Sequence, residues 1–491
     1  MSARRTRRSL HTAPLSGDVA ASDAKERANQ ILLGAQEDAA RRGVPVSTVL
    51  RELGFNVALP SDTPPSSHGP DTPRGPRGTP PAAPVVEVAP PDLTSAAGVL
   101  AELPGILSRS NAVDAVHQLF RAAITIGATD IHLESLPDTG RARFRIDGLC
   151  ADVARIKPDR FTELIARIKI LADLDVTERR RPQDGHLRFR TGDKIYDMRL
   201  ATVPTKGGEK IAIRIASTGH VQHNLEALGM DPRDLDTVLE LSARPFGMVL
   251  ATGPVGSGKT TTLYSCLNAI DRTRYNVCSI EDPVEVEILG VNQVEANYFL
   301  GFDFVAGLRA LLRQDPDVIL IGEVRDEETA RTAVRASMTG RLVFSTLHAN
   351  QATGAISTLR NFNIANHQLA SSLQGVIAQR LVRRVCTNCA EPYEMTQRDH
   401  ELLGPDAASI QPVHGRGCTA CSGTGYRGRL GVYEVFPVDD NIRGMMQDGA
   451  SERLVRETAR SLGMRTLQER CIEKIGRGLT TVEEFRRVLN F

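Results

Sequence analysis

The chain has 491 residues, too many for one core, so roughly two to four domains are expected. Its 60 Lys plus Arg nearly cancel 59 Asp plus Glu, which excludes bulk charge as a means of coating a polyanion. No run reaches the roughly 18 consecutive apolar residues that span a bilayer, and the basic start MSARRTRRSL has no apolar segment behind it, so a cytoplasmic protein is expected.

Taken in chain order, residues 1–19 read as a disordered basic tail, and 20–57 as a small helical segment broken at Gly43-Val44-Pro45. Residues 58–94 are rich in Pro, Gly, Ser and Thr and read as a linker. Residues 95–216 predict an α+β domain. Val113, Val116, Phe120, Ala123 and Ile124 share a helical face, and the strand-like runs IHLE, ARFRIDG, GHLRFR, IYDMRLATV and KIAIRIA follow. After a connector over 217–245, the apolar runs FGMVLAT, NVCSI, DVILIG and RLVFSTL alternate with amphipathic stretches, which predicts an α/β domain with a parallel sheet over 246–491.

GPVGSGKT at 253–260 satisfies Gly-x-x-x-x-Gly-Lys-Thr between a strand and a helix. The backbone from Gly253 through Pro254, Val255, Gly256, Ser257 and Gly258 can turn its N–H groups onto phosphates. Lys259 can then reach the β and γ oxygens and Thr260 can ligate magnesium, with Thr261 continuing the helix. Hydrolysis needs acids as well. DVILIG runs into Glu323, and NVCSI runs into Glu281, Asp282 and Glu285. Glu285 is the candidate for polarising water and Glu323 for the magnesium side, the two roles being exchangeable at this level. His348, after RLVFSTL, would contact the γ-phosphate.

Cys386, Cys389, Cys418 and Cys421 form two CxxC knuckles separated by residues 390–417. Two knuckles suit a closed, structural zinc site with four thiolate ligands, whereas redox chemistry would explain one pair only.

The blocks GPVGSGKTTTLYS, SIEDPVEVE, GLRALLRQDPDVILIGEVRDEETA and TGRLVFSTLHAN resemble the Walker A, Asp box, Walker B and His box of the type II secretion and type IV pilus assembly ATPases. The resemblance covers roughly residues 110–490 and includes ATDIHLE, RFRIDG and RPQDGHLRFR. It implies a RecA-like ATPase domain, including a zinc module at 383–435 and C-terminal helices, preceded by a smaller PAS-like α+β domain. It also implies a homohexamer in which Arg199 and Arg214 reach a neighbour's nucleotide, and ATP, Mg2+ and Zn2+ as cofactors. The partners would be an inner-membrane platform protein and a membrane-anchoring protein, with no nucleic acid expected and attachment to the inner membrane through those partners. The tetracysteine insert is similar to the assembly motors and not the retraction motors. One departure stands out: where the family reads Thr-Gly-His, this chain has Thr339-Gly340-Arg341. The competing readings are a nucleic-acid-translocating RecA-like motor, opposed by few aromatics (4%) for base stacking, and a non-hydrolysing nucleotide-regulated scaffold, opposed by the presence of Glu323.

Overall fold

The computed structural model describes residues 85–87, 96–217 and 224–489. The expected tail, the helical segment and most of the linker lie outside these residues. Within the stretch read as linker, Val85–Glu87 forms a short strand, β1. An edge strand needs only main-chain pairing and β-branched residues, and Val-Val supplies them in an otherwise Pro-rich segment.

Two helices open the first layer, α1 (Ala96–Arg109) and α2 (Ala112–Thr125). The side chain of Asn111 caps α2 by accepting the Asp114 N–H. The buried face of α2 is the expected one at Val116, Phe120, Ala123 and, at its margin, Ile124, but not at Val113. Ala115, Val116, Leu119, Phe120, Ala122 and Ala123 enter the core, whereas Val113 is 40% exposed. Val113 lies in the first turn of α2, on its solvent side.

The strands that follow are β2 (Asp130–Ser135), β3 (Gly140–Ile146), β4 (Leu149–Ile156), β5 (Gln183–Thr191), β6 (Lys194–Thr205) and β7 (Gly208–Ser217), with α3 (Pro158–Leu171) between β4 and β5. They form one sheet in the order β1-β5-β6-β7-β2-β3-β4, antiparallel except for β1 on β5. Alternation along these strands makes the sheet two-faced. Ile131, Leu133, Phe144, Leu187, Phe189, Met198, Leu200, Ile211 and Ile213 pack under the three helices. On the opposite face, His186, Arg199, Arg214, Asp130 and Arg145 stand in register across five strands.

The second sheet contains β8 (Gly247–Thr252), β9 (Val277–Glu281), β10 (Asn292–Glu295), β11 (Val318–Ile321), β12 (Leu342–Leu347), β13 (Leu373–Val385) and, after the small pair β14 (Ala390–Pro392) and β15 (Val413–Gly415), β16 (Tyr426–Pro437). Its order is β10-β9-β11-β12-β8-β13-β16, parallel throughout except for β16 on β13. Both faces are covered, which is why β8, β11 and β12 read as unbroken apolar runs. Val249, Ala251, Leu320 and Phe344 meet α4 (Pro232–Ser242) and α5 (Lys259–Asn268). Met248, Leu250, Ile319, Ile321 and Val343 meet α6 (Phe304–Leu311) and α7 (Glu327–Met338). The same core takes in residues of α8 (Gly354–Asn361), α9 (Asn366–Ser372), α10 (Gln397–Leu403), α11 (Asp440–Gln447), α12 (Glu452–Ser461), α13 (Leu467–Gly476) and α14 (Val482–Leu489).

One buried charge pair anchors the loop between α3 and β5. The Lys169 ammonium, fully buried, donates to the Glu178 carbonyl at 2.6 Å and pairs with Glu209 at 2.7 Å. Removing one member of a buried pair strands the other, so Glu209→Ala should cost about 3 kcal/mol. A urea titration of the first unfolding step, beside the parent chain, measures that loss.

Candidate functional site

Because β8, β9, β11 and β12 are parallel, their carboxyl ends share one edge of the sheet. The P-loop leaves β8 there and turns into α5. Gly253, Gly256 and Gly258 have φ of 147°, 76° and 88°, which side-chain-bearing residues rarely adopt. Gly253 is also sterically locked, since a Cβ would lie 2.6 Å from the Gln379 carbonyl oxygen. Pro254, Val255 and Gly256 form the exposed tip, Ser257 is buried, and Thr260 and Thr261 are half-buried at the start of α5. Lys259 Nζ folds back to donate to the carbonyls of Gly253 (2.8 Å) and Pro254 (3.2 Å). Burial pulls its ammonium below the usual lysine range; Glu323 opposes that and Arg380 adds to it.

Glu323 follows β11 and Gly322 on this edge. Its carboxylate pairs with Arg325 and lies 3.7 Å from His348 Nε2. Burial alone would raise the Glu323 carboxyl, but Arg325, His348 and Lys259 outweigh it and hold it below the ordinary carboxylate range. Lys259, Glu323 and His348, read from three separate motifs, are therefore brought together. Arg325 is a member that sequence reading missed, although its place two residues after Glu323 could have suggested it.

The end of β9 is arranged differently. Glu281 is buried and accepts from Tyr264 Oη (2.5 Å), Ser279 Oγ (2.6 Å) and Gln293 Nε2 (3.3 Å). Burial raises its carboxyl, against those hydrogen bonds. Glu285 lies beyond the cis Asp282-Pro283 bond, with its side chain exposed and its N–H donating to Tyr264 Oη at 3.3 Å. Tyr264 of α5 thus links the P-loop helix to both acids.

Arg199 and Arg214 face each other across β6 and β7 on the open side of the first sheet, and both are exposed. Arg214 lies 3.6 Å from Asp130. Their place in the first sheet leaves them outside the Lys259, Glu323 and His348 group. Arg341 precedes β12 and donates to the carbonyl and hydroxyl of Thr339 at 3.1 and 2.9 Å. It stands at the amino edge, about 20 Å of strand from His348. The departure from the family's Thr-Gly-His is thus away from the edge that carries the P-loop.

The four paired cysteines converge. Sulfur–sulfur distances are 3.8 Å for Cys386–Cys418, 3.8 Å for Cys389–Cys421 and 3.7 Å for Cys418–Cys421. Ligand atoms of all four lie within 4.8 Å of one another. A tetrahedron with metal–sulfur bonds of about 2.3 Å has edges of about 3.8 Å, so the residues fit zinc. Burial would raise the Cys421 thiol, but the N–H groups of Cys418 (3.2 Å) and Gly425 (3.3 Å) bring it down to about 6. Gly415 and Gly425 permit the close crossing behind the second knuckle, where a Cβ on Gly415 would lie 2.1 Å from the Gly425 carbonyl oxygen.

A P-loop on a parallel sheet with an acid and a histidine gathered beside its lysine defines a P-loop ATPase. The profile of the Type II/IV secretion system protein family matches residues 108–487, and the chain belongs to that family. Over 375 residues it is 43% identical to the type II secretion system protein E of Pseudomonas aeruginosa, covering 76% of this chain and 74% of that protein. Over 377 residues it is 41% identical to the type IV pilus assembly ATPase PilB of Myxococcus xanthus, covering 76% of this chain and 67% of PilB. Among solved structures, the pilus retraction motor PilT with bound ADP aligns with a TM-score of 0.51 and 28% identity, over 75% of this chain and 95% of PilT. The chain is an ATPase of the secretion and pilus-assembly class. Among the described residues, no helix is long and apolar enough to cross a membrane.

Lys259 must be protonated to meet phosphate. Its depressed pKa means that ATP affinity should hold at neutral pH and fall as pH rises through a value below 10.5. Lys259→Arg should flatten that alkaline limb in a fluorescent-nucleotide titration, because guanidinium stays charged. Cys421→Ser should reduce metal content from roughly one zinc per chain and lower the melting temperature. It should leave ADP binding at the P-loop intact, as metal analysis and the same titration would report.

Proposed function

We infer that the chain is an assembly motor: it hydrolyses Mg-ATP at the P-loop and uses the energy to build a type II secretion pseudopilus or a type IV pilus. The observation that carries this reading is the meeting of Lys259, Glu323 and His348 at one sheet edge. The tetracysteine cluster supports assembly over retraction. So does the greater identity to an assembly ATPase, 41%, than to a retraction motor, 28%.

In this reading the P-loop N–H groups and Lys259 bind the phosphates and neutralise charge that builds on the γ-phosphoryl group. Thr260 and Glu323 would hold magnesium, which would neutralise phosphate charge during the transfer. Glu285 would polarise the attacking water. Its exposure leaves it free to do so, while buried Glu281 is occupied by Tyr264, Ser279 and Gln293. His348 would contact the γ-phosphate. Zinc, held by Cys386, Cys389, Cys418 and Cys421, would cross-link the chain between β13 and β16.

Arg199 and Arg214 fit a second role. They are exposed and adjacent on the sheet face opposite the helix-covered core of their domain. A homohexamer would bring that face to a neighbour's nucleotide, where a guanidinium stabilises phosphoryl transfer and couples it to domain movement. The boundaries read from sequence, 95–216 and 246–491, would then separate the part that supplies these arginines from the part that binds ATP. The work would be delivered to a membrane-embedded platform protein, with attachment to the inner membrane through an anchoring partner.

Steady-state hydrolysis by the full chain with magnesium, across protein concentration, tests this. Turnover per subunit should rise with concentration and vanish in Lys259→Ala. Glu323→Gln should bind ATP but turn over about 100-fold more slowly, and parental turnover in that variant would sink the role given to Glu323.

A further inference from the structure

In the middle of β13, between Ala378 and Leu381, stand two buried polar residues, Gln379 and Arg380, 1% and 4% exposed. A guanidinium is costly to bury unless its hydrogen bonds are made within the protein. On one side the pair reaches the P-loop. Gln379 Nε2 donates to the Ser257 carbonyl at 2.8 Å. A Cβ on Gly253 would lie 3.2 Å from Arg380 Nη1, so the guanidinium sits directly beneath the first P-loop glycine. The carbonyl of that same Gly253 holds the Lys259 ammonium at 2.8 Å.

On the other side Arg380 reaches the loop that follows β12. Its Nη2 donates to the Asn350 carbonyl at 2.9 Å, and its Nη1 to the Gln379 carbonyl at 3.0 Å. Asn350 is two residues beyond His348. The loop is held again further along. Gln351 Oε1 accepts from Arg456 of α12 at 2.5 Å, and the Ala352 N–H donates to Glu434 of β16 at 2.8 Å. Fully buried Glu434 also accepts the Leu467 N–H at the start of α13, at 3.3 Å. Asn350 and the two residues after it are thus tied by part-buried and buried hydrogen bonds to β13, α12, β16 and the start of α13.

We propose that Arg380, supported by Gln379, is a positioning residue that makes the P-loop and the His348 loop respond to nucleotide as one unit and carries that response to α12 and α13. This rests on nucleotide binding at the P-loop, as read above, and adds residues that no nucleotide contact requires. Loss of Arg380 should therefore uncouple the two loops more than it weakens binding.

Hydrogen exchange of the full parent chain with and without Mg-ADP tests it. ADP has no γ-phosphate for His348 to meet, so ordering of 348–353 on ADP binding has to come through the protein. The expected result is slower exchange both at 253–260 and at 348–353. In Arg380→Gln the slowing should persist at 253–260 and disappear at 348–353. ADP affinity should stay within about threefold while kcat falls about tenfold, the scale of one charged hydrogen bond. Arg380→Lys should recover part of both, because an ammonium can still reach one of the two carbonyls. Slowing confined to 253–260 in the parent overturns the proposal, as does an Arg380→Gln chain that keeps both the slowing and kcat. No slowing at 253–260 overturns the nucleotide site itself, a different outcome. Slowing confined to 253–260 in the parent overturns the proposal whether or not Arg380→Gln folds.

Discussion

Parallel strands buried on both faces can present polar groups to a ligand only at their ends. In the second sheet this constraint gathers the P-loop, Glu281, Glu323 and His348 on one edge, although they are spread over nearly a hundred residues of chain. The apolar filling of β8, β11 and β12 is therefore also the means of aligning the charged groups. Burial of the strands removes alternative registers, because a slip by one residue would exchange the residues offered to the two helical layers.

The first sheet obeys a different rule with a different result. Being antiparallel, it covers only one face, and the other keeps a row of polar and charged side chains from His186 through Arg199, Arg214 and Asp130 to Arg145. Ion pairs within that face, such as Glu134 with Arg141 and Arg143, hold some of the arginines in place and depress the Glu134 carboxyl to about 2 against the effect of burial. A surface of this kind is suited to a charged ligand or a second protein surface more than to a hydrophobic core.

The tetracysteine cluster sits where local structure is poorest. The knuckles are short, and β14 and β15 form only a small ladder. A metal held by four sulfurs at this spacing would replace the apolar burial that such a small module lacks. The N–H groups aimed at Cys421 show the backbone already shaped around a thiolate.

Much of this was legible in the chain itself, because its signals are local. The glycines and lysine of the P-loop act over eight residues, the CxxC pairs over four, and the apolar strand runs over six. Those patterns made the P-loop turn, the two cysteine knuckles and the parallel sheet legible, since each reflects a backbone shape or burial that neighbouring residues alone dictate. What tertiary structure decided is which distant groups meet. Strand order set Glu323 beside His348 and placed Arg341 at the opposite edge. Burial gave Glu281, and not Glu285, the closed hydrogen-bonded setting. The hydrogen bonds from Gln379 and Arg380 to the P-loop and to Asn350 follow from the pairing of β13 with β8, and a central strand's partner is chosen by the packing of the whole sheet, which no local run of residues encodes.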